Sequence, residues 1–173
     1  MRKLALNGIL ISLALVLSFI ERFIPLGLIV PIPGIKLGLA NIVTMFALFY
    51  TGFASALTIT VLRCVLAALM FGGLSSLLFS LSGAMLALLI MTLMKPGYNR
   101  VFSLIGISMS GAALHNTGQI IMASLMMRNT AVYSYLPLLL LAGIVTGLLT
   151  AVIAYNLFMM IDKTNVLNVT VRQ

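Results

Sequence analysis

The sequence predicts an all-α integral membrane protein: one transmembrane domain over residues 1–173, made of six helices with both termini in the cytoplasm. Three observations carry that expectation. Hydrophobic residues make up 62% of the chain and charged residues only 7%, whereas a soluble domain carries about a quarter charged residues. The apolar residues fall into runs close to the roughly 20 residues that cross a bilayer. The ten basic residues stand mostly singly at the ends of those runs. The net charge of +8 therefore reads as topology-setting and not as a nucleic-acid footprint.

The first run, 4–20, closes at Glu21-Arg22. It has the basic start and apolar core of a signal peptide. No small-x-small cleavage site precedes Glu21-Arg22 and Pro25, so it reads as a retained first helix. Residues 23–36 contain Pro25, Pro31, Pro33 and Gly34, which predict a long irregular connection. A second span, 36–50, is somewhat short and turns at Thr51-Gly52; the third, 53–71, ends at Gly72-Gly73. The fourth, 74–94, is stopped by Lys95-Pro96-Gly97. The fifth, 101–127, is longer than an untilted crossing needs, and the sixth runs over 135–161. With an even number of spans, Arg2, Lys3, Lys95, Arg100, Lys163 and Arg172 share one face, and Arg22, Lys36 and Arg128 the other. The richer face is assigned to the cytoplasm.

Composition also excludes chemistry. Cys64 is the single cysteine, so no disulfide framework and no multi-cysteine metal or iron–sulfur site is expected. The two acids, Glu21 and Asp162, do not make the carboxylate cluster that magnesium–diphosphate and most hydrolytic sites need. No Gly-x-x-x-x-Gly-Lys-Ser/Thr loop occurs, so an ATP-driven step would come from another chain. No catalytic set, metal or cofactor is expected.

Polar residues inside the spans carry the functional information. Arg63 falls near the middle of the third span, where an arginine costs about 2.5–3.5 kcal/mol on insertion scales and must face the bundle interior or an aqueous cavity. It reads as an anion-binding group or as a partner for helix carbonyls and polar neighbours. In the fifth span, His115 and Gln119 of His115-Asn116-Thr117-Gly118-Gln119 share a helix face that Ser108, Gly111 and Ala112 extend. They are open to a ligand role and to interhelical hydrogen bonding. With one histidine and no nearby acid or thiol, a metal site is not expected there.

The run Pro31-Ile32-Pro33-Gly34-Ile35-Lys36-Leu37-Gly38-Leu39-Ala40-Asn41 forms the mouth of the second helix. A lysine in a first turn opposes the helix dipole, a cost offset if an anion binds at the free N–H groups; otherwise Lys36 snorkels to the interface. Asn41, one turn deeper, is positioned to add a hydrogen bond. Gly72-Gly73-Leu74-Ser75-Ser76 reads as a turn followed by an N-cap, leaving Ser76 and Ser80 as further ligand candidates. On helix one, Ala5, Gly8 and Ser12 form a small-residue face suited to close approach of a partner helix. The twelve methionines read as apolar filler.

In this topology Lys36, Asn41, Ser76, Ser80 and Gln119 fall in the outer half of the membrane, and Arg63 and His115 near the midplane. The inner half holds little beyond scattered hydroxyls. That asymmetry predicts a cavity open to the outside and sealed inside, as a solute binder would have.

The Pro31–Asn41 run, the Gly-Gly-Leu-Ser-Ser turn, Ser82-Gly83 and the His115–Gln119 segment resemble, over nearly the whole chain, the bacterial Gx transporter family. That family is also labelled heptaprenyl diphosphate synthase component I. It is similar in turn to the S components of energy-coupling-factor transporters. The resemblance implies a six-helix bundle in the bacterial cytoplasmic membrane, with an outward pocket lidded by the loop between helices one and two. It also implies docking through helix one onto a transmembrane coupling subunit and ATPases. S components carry an Ala-x-x-x-Ala pattern on helix one; the nearest equivalent here is Gly8-x-x-x-Ser12. Three functions follow as expectations. The first is a non-enzymatic membrane subunit that binds a small anionic or amphipathic solute through Lys36, Asn41, Arg63, Ser76, Ser80, His115, Asn116 and Gln119. The second is an accessory component of polyprenyl diphosphate synthesis, and the third a subunit of a redox or quinone-handling complex.

Overall fold

The structure, a computed structural model, describes residues 2–24, 36 and 38–164, with side chains over 3–24, 36 and 38–160. The expected lid therefore lies mostly outside the described residues, as does Arg172. Among the described residues the chain is helical without a strand: α1 Arg2–Ile20, α2 Asn41–Tyr50, α3 Phe53–Phe71, α4 Leu74–Met94, α5 Leu104–Met127 and α6 Leu136–Thr164. Among the described residues, four segments are long and apolar enough to cross a membrane: Lys3–Phe23, Phe53–Phe71, Leu74–Gly97 and Thr130–Met160. The pattern of exposure is that of a membrane protein. Leu4, Leu69, Leu125 and Met160 face outward, while Arg63, Thr60, His115, Asn116 and Gln119 are buried, the reverse of a soluble domain.

Helix α1 buries a stripe of Leu10, Ala14, Ser18 and, just past its end, Glu21, spaced three and four apart as one helical face requires. It packs chiefly on α3. The helix ends in a 3₁₀ turn, Glu21–Phe23, and Ile24 is extended (ψ 115°), as the residue before Pro25 tends to be.

Helix α2 differs from expectation. It starts at Asn41 and not at 36, because Gly38 takes a positive φ of +85° that an α-helix does not contain. Its ten residues span about 15 Å, about half the hydrocarbon thickness. It lines up with α3 through two polar rungs, Asn41 with Arg63 and Thr44 with Thr60 (3.1 Å).

The expected serine cap of α4 is also corrected. Gly73, at φ +131°, holds the N-cap position without a side-chain cap bond, and both serines lie inside the helix. Helix α5 begins at Leu104 instead of 101, since Ser103 caps it by accepting the Gly106 N–H at 3.1 Å. The N–H groups of Val101 and Phe102 close a turn on Gly97 O. With 24 residues α5 is long enough to cross, but its Ser, Gly, His, Asn and Gln content keeps it outside the four strongly apolar segments.

Helices α4, α5 and α6 form the tightest layer. Gly83 and Gly118 allow it: a Cβ on Gly83 would stand 2.6 Å from His115 O, and one on Gly118 2.9 Å from Gly83 Cα. Small residues bring helices this close when no apolar solvent contrast drives them together. At the far end of α2, Phe46 stacks on Tyr50 at 4.7 Å, Phe158 meets Tyr50 edge-on at 4.8 Å, and Phe49 packs edge-on against Tyr98 at 5.1 Å.

Candidate functional site

The N-terminal mouth of α2 is where the polar residues meet. Its 3₁₀ turn satisfies the N–H groups of Asn41, Ile42 and Val43 on Gly38, Leu39 and Ala40 carbonyls. The Leu39 N–H goes to the Glu21 carboxylate at 2.8 Å. A carboxyl oxygen of the protein itself therefore takes one N–H group of this mouth. Sequence reasoning missed Glu21, which closed the first span there. Its signal was its register, one turn beyond Leu10, Ala14 and Ser18 on the buried stripe.

Behind Glu21 lies a cavity walled by Ser18, Glu21, Lys36, Gly38, Arg63, Cys64, Ala67, Ser80 and His115, with room for about one water-sized group. Arg63 is 4% exposed; its Nη2 donates to Asn41 Oδ1 at 2.8 Å, while its Nε has no partner. Ser80 Oγ and both ring nitrogens of His115 are likewise buried without hydrogen bonds. His115 is held by contact: a Cβ on Gly38 would stand 2.7 Å from its Cδ2, and one on Gly83 2.8 Å from its Nδ1. Buried polar groups are almost always paired, and unpaired atoms on three side chains around one cavity mark a place for an occupant.

A second cavity adjoins on the side toward the aromatic cluster, walled by Gly38, Asn41, Met45, Met91, Ser108, Gly111, Ala112, Thr146 and Thr150. The unpaired Nδ2 of Asn41 borders it, and Ser108 and Thr150 meet there at 2.7 Å.

Of the residues singled out by sequence, Lys36, Arg63, Ser80 and His115 come together at the first cavity, and Asn41 joins through Arg63. Gln119 is engaged by the Lys36 backbone: Lys36 N–H donates to Oε1 at 2.7 Å, and Nε2 donates to Lys36 O at 2.6 Å and to Asn116 Oδ1 at 3.4 Å. Asn116 in turn donates to Leu139 O of α6 at 2.5 Å. Ser76 is buried one turn above Ser80 and beside Gly72. Lys36 precedes α2, so it does not stand in a helical first turn, and its own N–H is not free. Ala5, Gly8 and Ser12 lie exposed on α1, where a Cβ on Gly8 would meet nothing. Among the described residues no three of His, Cys, Asp and Glu gather around a point that a metal ion could occupy.

The family model described as heptaprenyl diphosphate synthase component I matches residues 10–157. The chain belongs to that family. The match takes in every residue of the cavity and all six helices, short only of the start of α1 and the end of α6. No curated protein and no solved structure matches the chain.

Proposed function

We propose that this member of the family is a non-catalytic membrane subunit that captures a small anionic or amphipathic solute from the outer side of the bacterial cytoplasmic membrane. Both termini then lie in the cytoplasm, all six helices are membrane-embedded, and a separate transmembrane coupling subunit with ATPases energises release. The observation that carries this reading is the convergence of unpaired, buried Arg63 Nε, Ser80 Oγ and His115 on a cavity that Lys36 also walls. Arg63 and Lys36 meet the anionic part, and Ser80, His115 and Asn41 orient it. The aromatic cluster of Phe46, Phe49, Tyr50 and Phe158 serves as the inner seal. Native mass spectrometry tests the reading. Wild-type protein, gently extracted, is expected to carry a bound small molecule that Arg63→Gln lacks. Equal occupancy in the two, or none in wild type, counts against it.

A second reading is favoured by the family match: an accessory component of prenyl diphosphate synthesis. Two acids in the whole chain do not hold the several magnesium ions of such a reaction, so catalysis belongs to a partner. Reconstitution with a soluble prenyl-elongating subunit is expected to change product length or rate under this reading; no change removes it.

A further inference from the structure

The charge count of the cavity specifies its occupant more closely than the proposed anion capture, on which this inference rests. Two basic side chains, Lys36 and Arg63, and one acid, Glu21, wall the same space, a formal excess of one positive charge. A proton passed from Lys36 to Glu21 does not alter that sum. An uncompensated charge inside an apolar bundle is costly. One negative charge on an occupant neutralises it; a second would only reverse its sign. The unpaired groups agree. Arg63 Nε–H, the Ser80 hydroxyl and one N–H of the His115 ring are donors that make no hydrogen bond. With Nη2 held on Asn41, Arg63 keeps its Nε edge for an oxyanion. The space, about one water-sized group, suits a compact head and not a diphosphate.

We propose that the site takes a singly charged oxyanion, and that Glu21 is the specificity-determining residue that rejects more highly charged groups. Glu21 does so by cancelling one of the two cations while its carboxylate stays fastened to the Leu39 N–H. The same head chemistry is found on a free carboxylic acid and on a lipid phosphodiester.

Thermal unfolding of the full chain in neutral detergent at fixed ionic strength tests this, with acetate, dimethyl phosphate and dianionic inorganic phosphate, close in size to dimethyl phosphate, as probes. Wild type is expected to gain a saturable upward shift in Tm from one of the two monoanions, acetate indicating a free acid and dimethyl phosphate a lipid head. The phosphate dianion is expected to give none. Glu21→Gln, which keeps an oxygen for the Leu39 N–H, is expected to bind the phosphate dianion at least about tenfold more tightly than wild type does. Lys36→Gln leaves the backbone bonds to Gln119 in place and is expected to lose the monoanion response. A wild type that prefers the phosphate dianion, or a Glu21→Gln variant with unchanged preference, overturns the inference and leaves anion capture standing. No response to any probe, in wild type or variants, sinks anion capture with it.

Discussion

Gln119 and Lys36 exchange two hydrogen bonds, 83 positions apart, so that an amide side chain in the middle of the bundle reads the backbone of the segment leading into α2. The pairing copies one rung of a strand ladder and fixes where that segment crosses α5. It places Lys36 over the cavity without using its ammonium. Glu21 makes the complementary attachment from α1, through the Leu39 N–H. The two together hold both ends of the α2 entry turn against the site.

Gln119→Ala removes both partners of the Lys36 backbone. Leaving a partly buried N–H and C=O unpaired is expected to destabilise the protein by about 1–3 kcal/mol. Thermal unfolding in detergent measures this. Hydrogen exchange at Lys36 is expected to speed up, while amides in α6 keep their protection.

Glu21→Ala and Glu21→Gln separate the hydrogen bond from the charge. The alanine variant orphans the Leu39 N–H and is expected to lose about 1–3 kcal/mol. The glutamine variant keeps an acceptor and is expected to recover most of that. Equal losses in the two variants would show that charge, and not the hydrogen bond, secures the turn.

Arg63→Met swaps a buried cation for an apolar side chain of similar length. It also leaves the buried Asn41 Oδ1 without its donor, so a loss of about 1–3 kcal/mol is expected, together with loss of the bound small molecule. The same loss of stability with the ligand retained would make the role of Arg63 structural only.

Gly83→Ala tests the α4–α5 contact. Its Cβ would meet the His115 carbonyl oxygen at 2.6 Å, a backbone atom that cannot swing aside. Overpacking of this kind costs about 1–3 kcal/mol, and the displaced α5 carries His115 with it. Both Tm and ligand occupancy are expected to fall.

Much of this protein is legible along the chain. The membrane class follows from apolar runs and scarce charge, because desolvation of backbone and charged groups leaves few ways to cross hydrocarbon. The boundaries of α3 and α4 match their apolar runs to the residue, since Gly52 and Gly72 bracket α3, and Gly73 and Lys95-Pro96-Gly97 bracket α4. Arg63 and His115 were recognisable for a similar reason: a polar group deep in an apolar run has to face something.

Direction and partnership were not legible, because they depend on contacts between distant segments. Asn116 and Gln119 sit three apart and bond to each other, yet Asn116 also reaches α6 and Gln119 the Lys36 backbone. The short α2 followed from the positive φ at Gly38, where a Cβ would also strike His115. Glu21 looked like the polar end of a span until α3 packed against its stripe. By itself the sequence determined that this is a helical membrane protein with buried polar residues that need partners. Only the tertiary structure decided that Glu21 holds the mouth of α2 and that Arg63 Nε, Ser80 Oγ and the His115 ring stand without hydrogen bonds around one cavity, because burial and pairing are properties of neighbours brought together by packing.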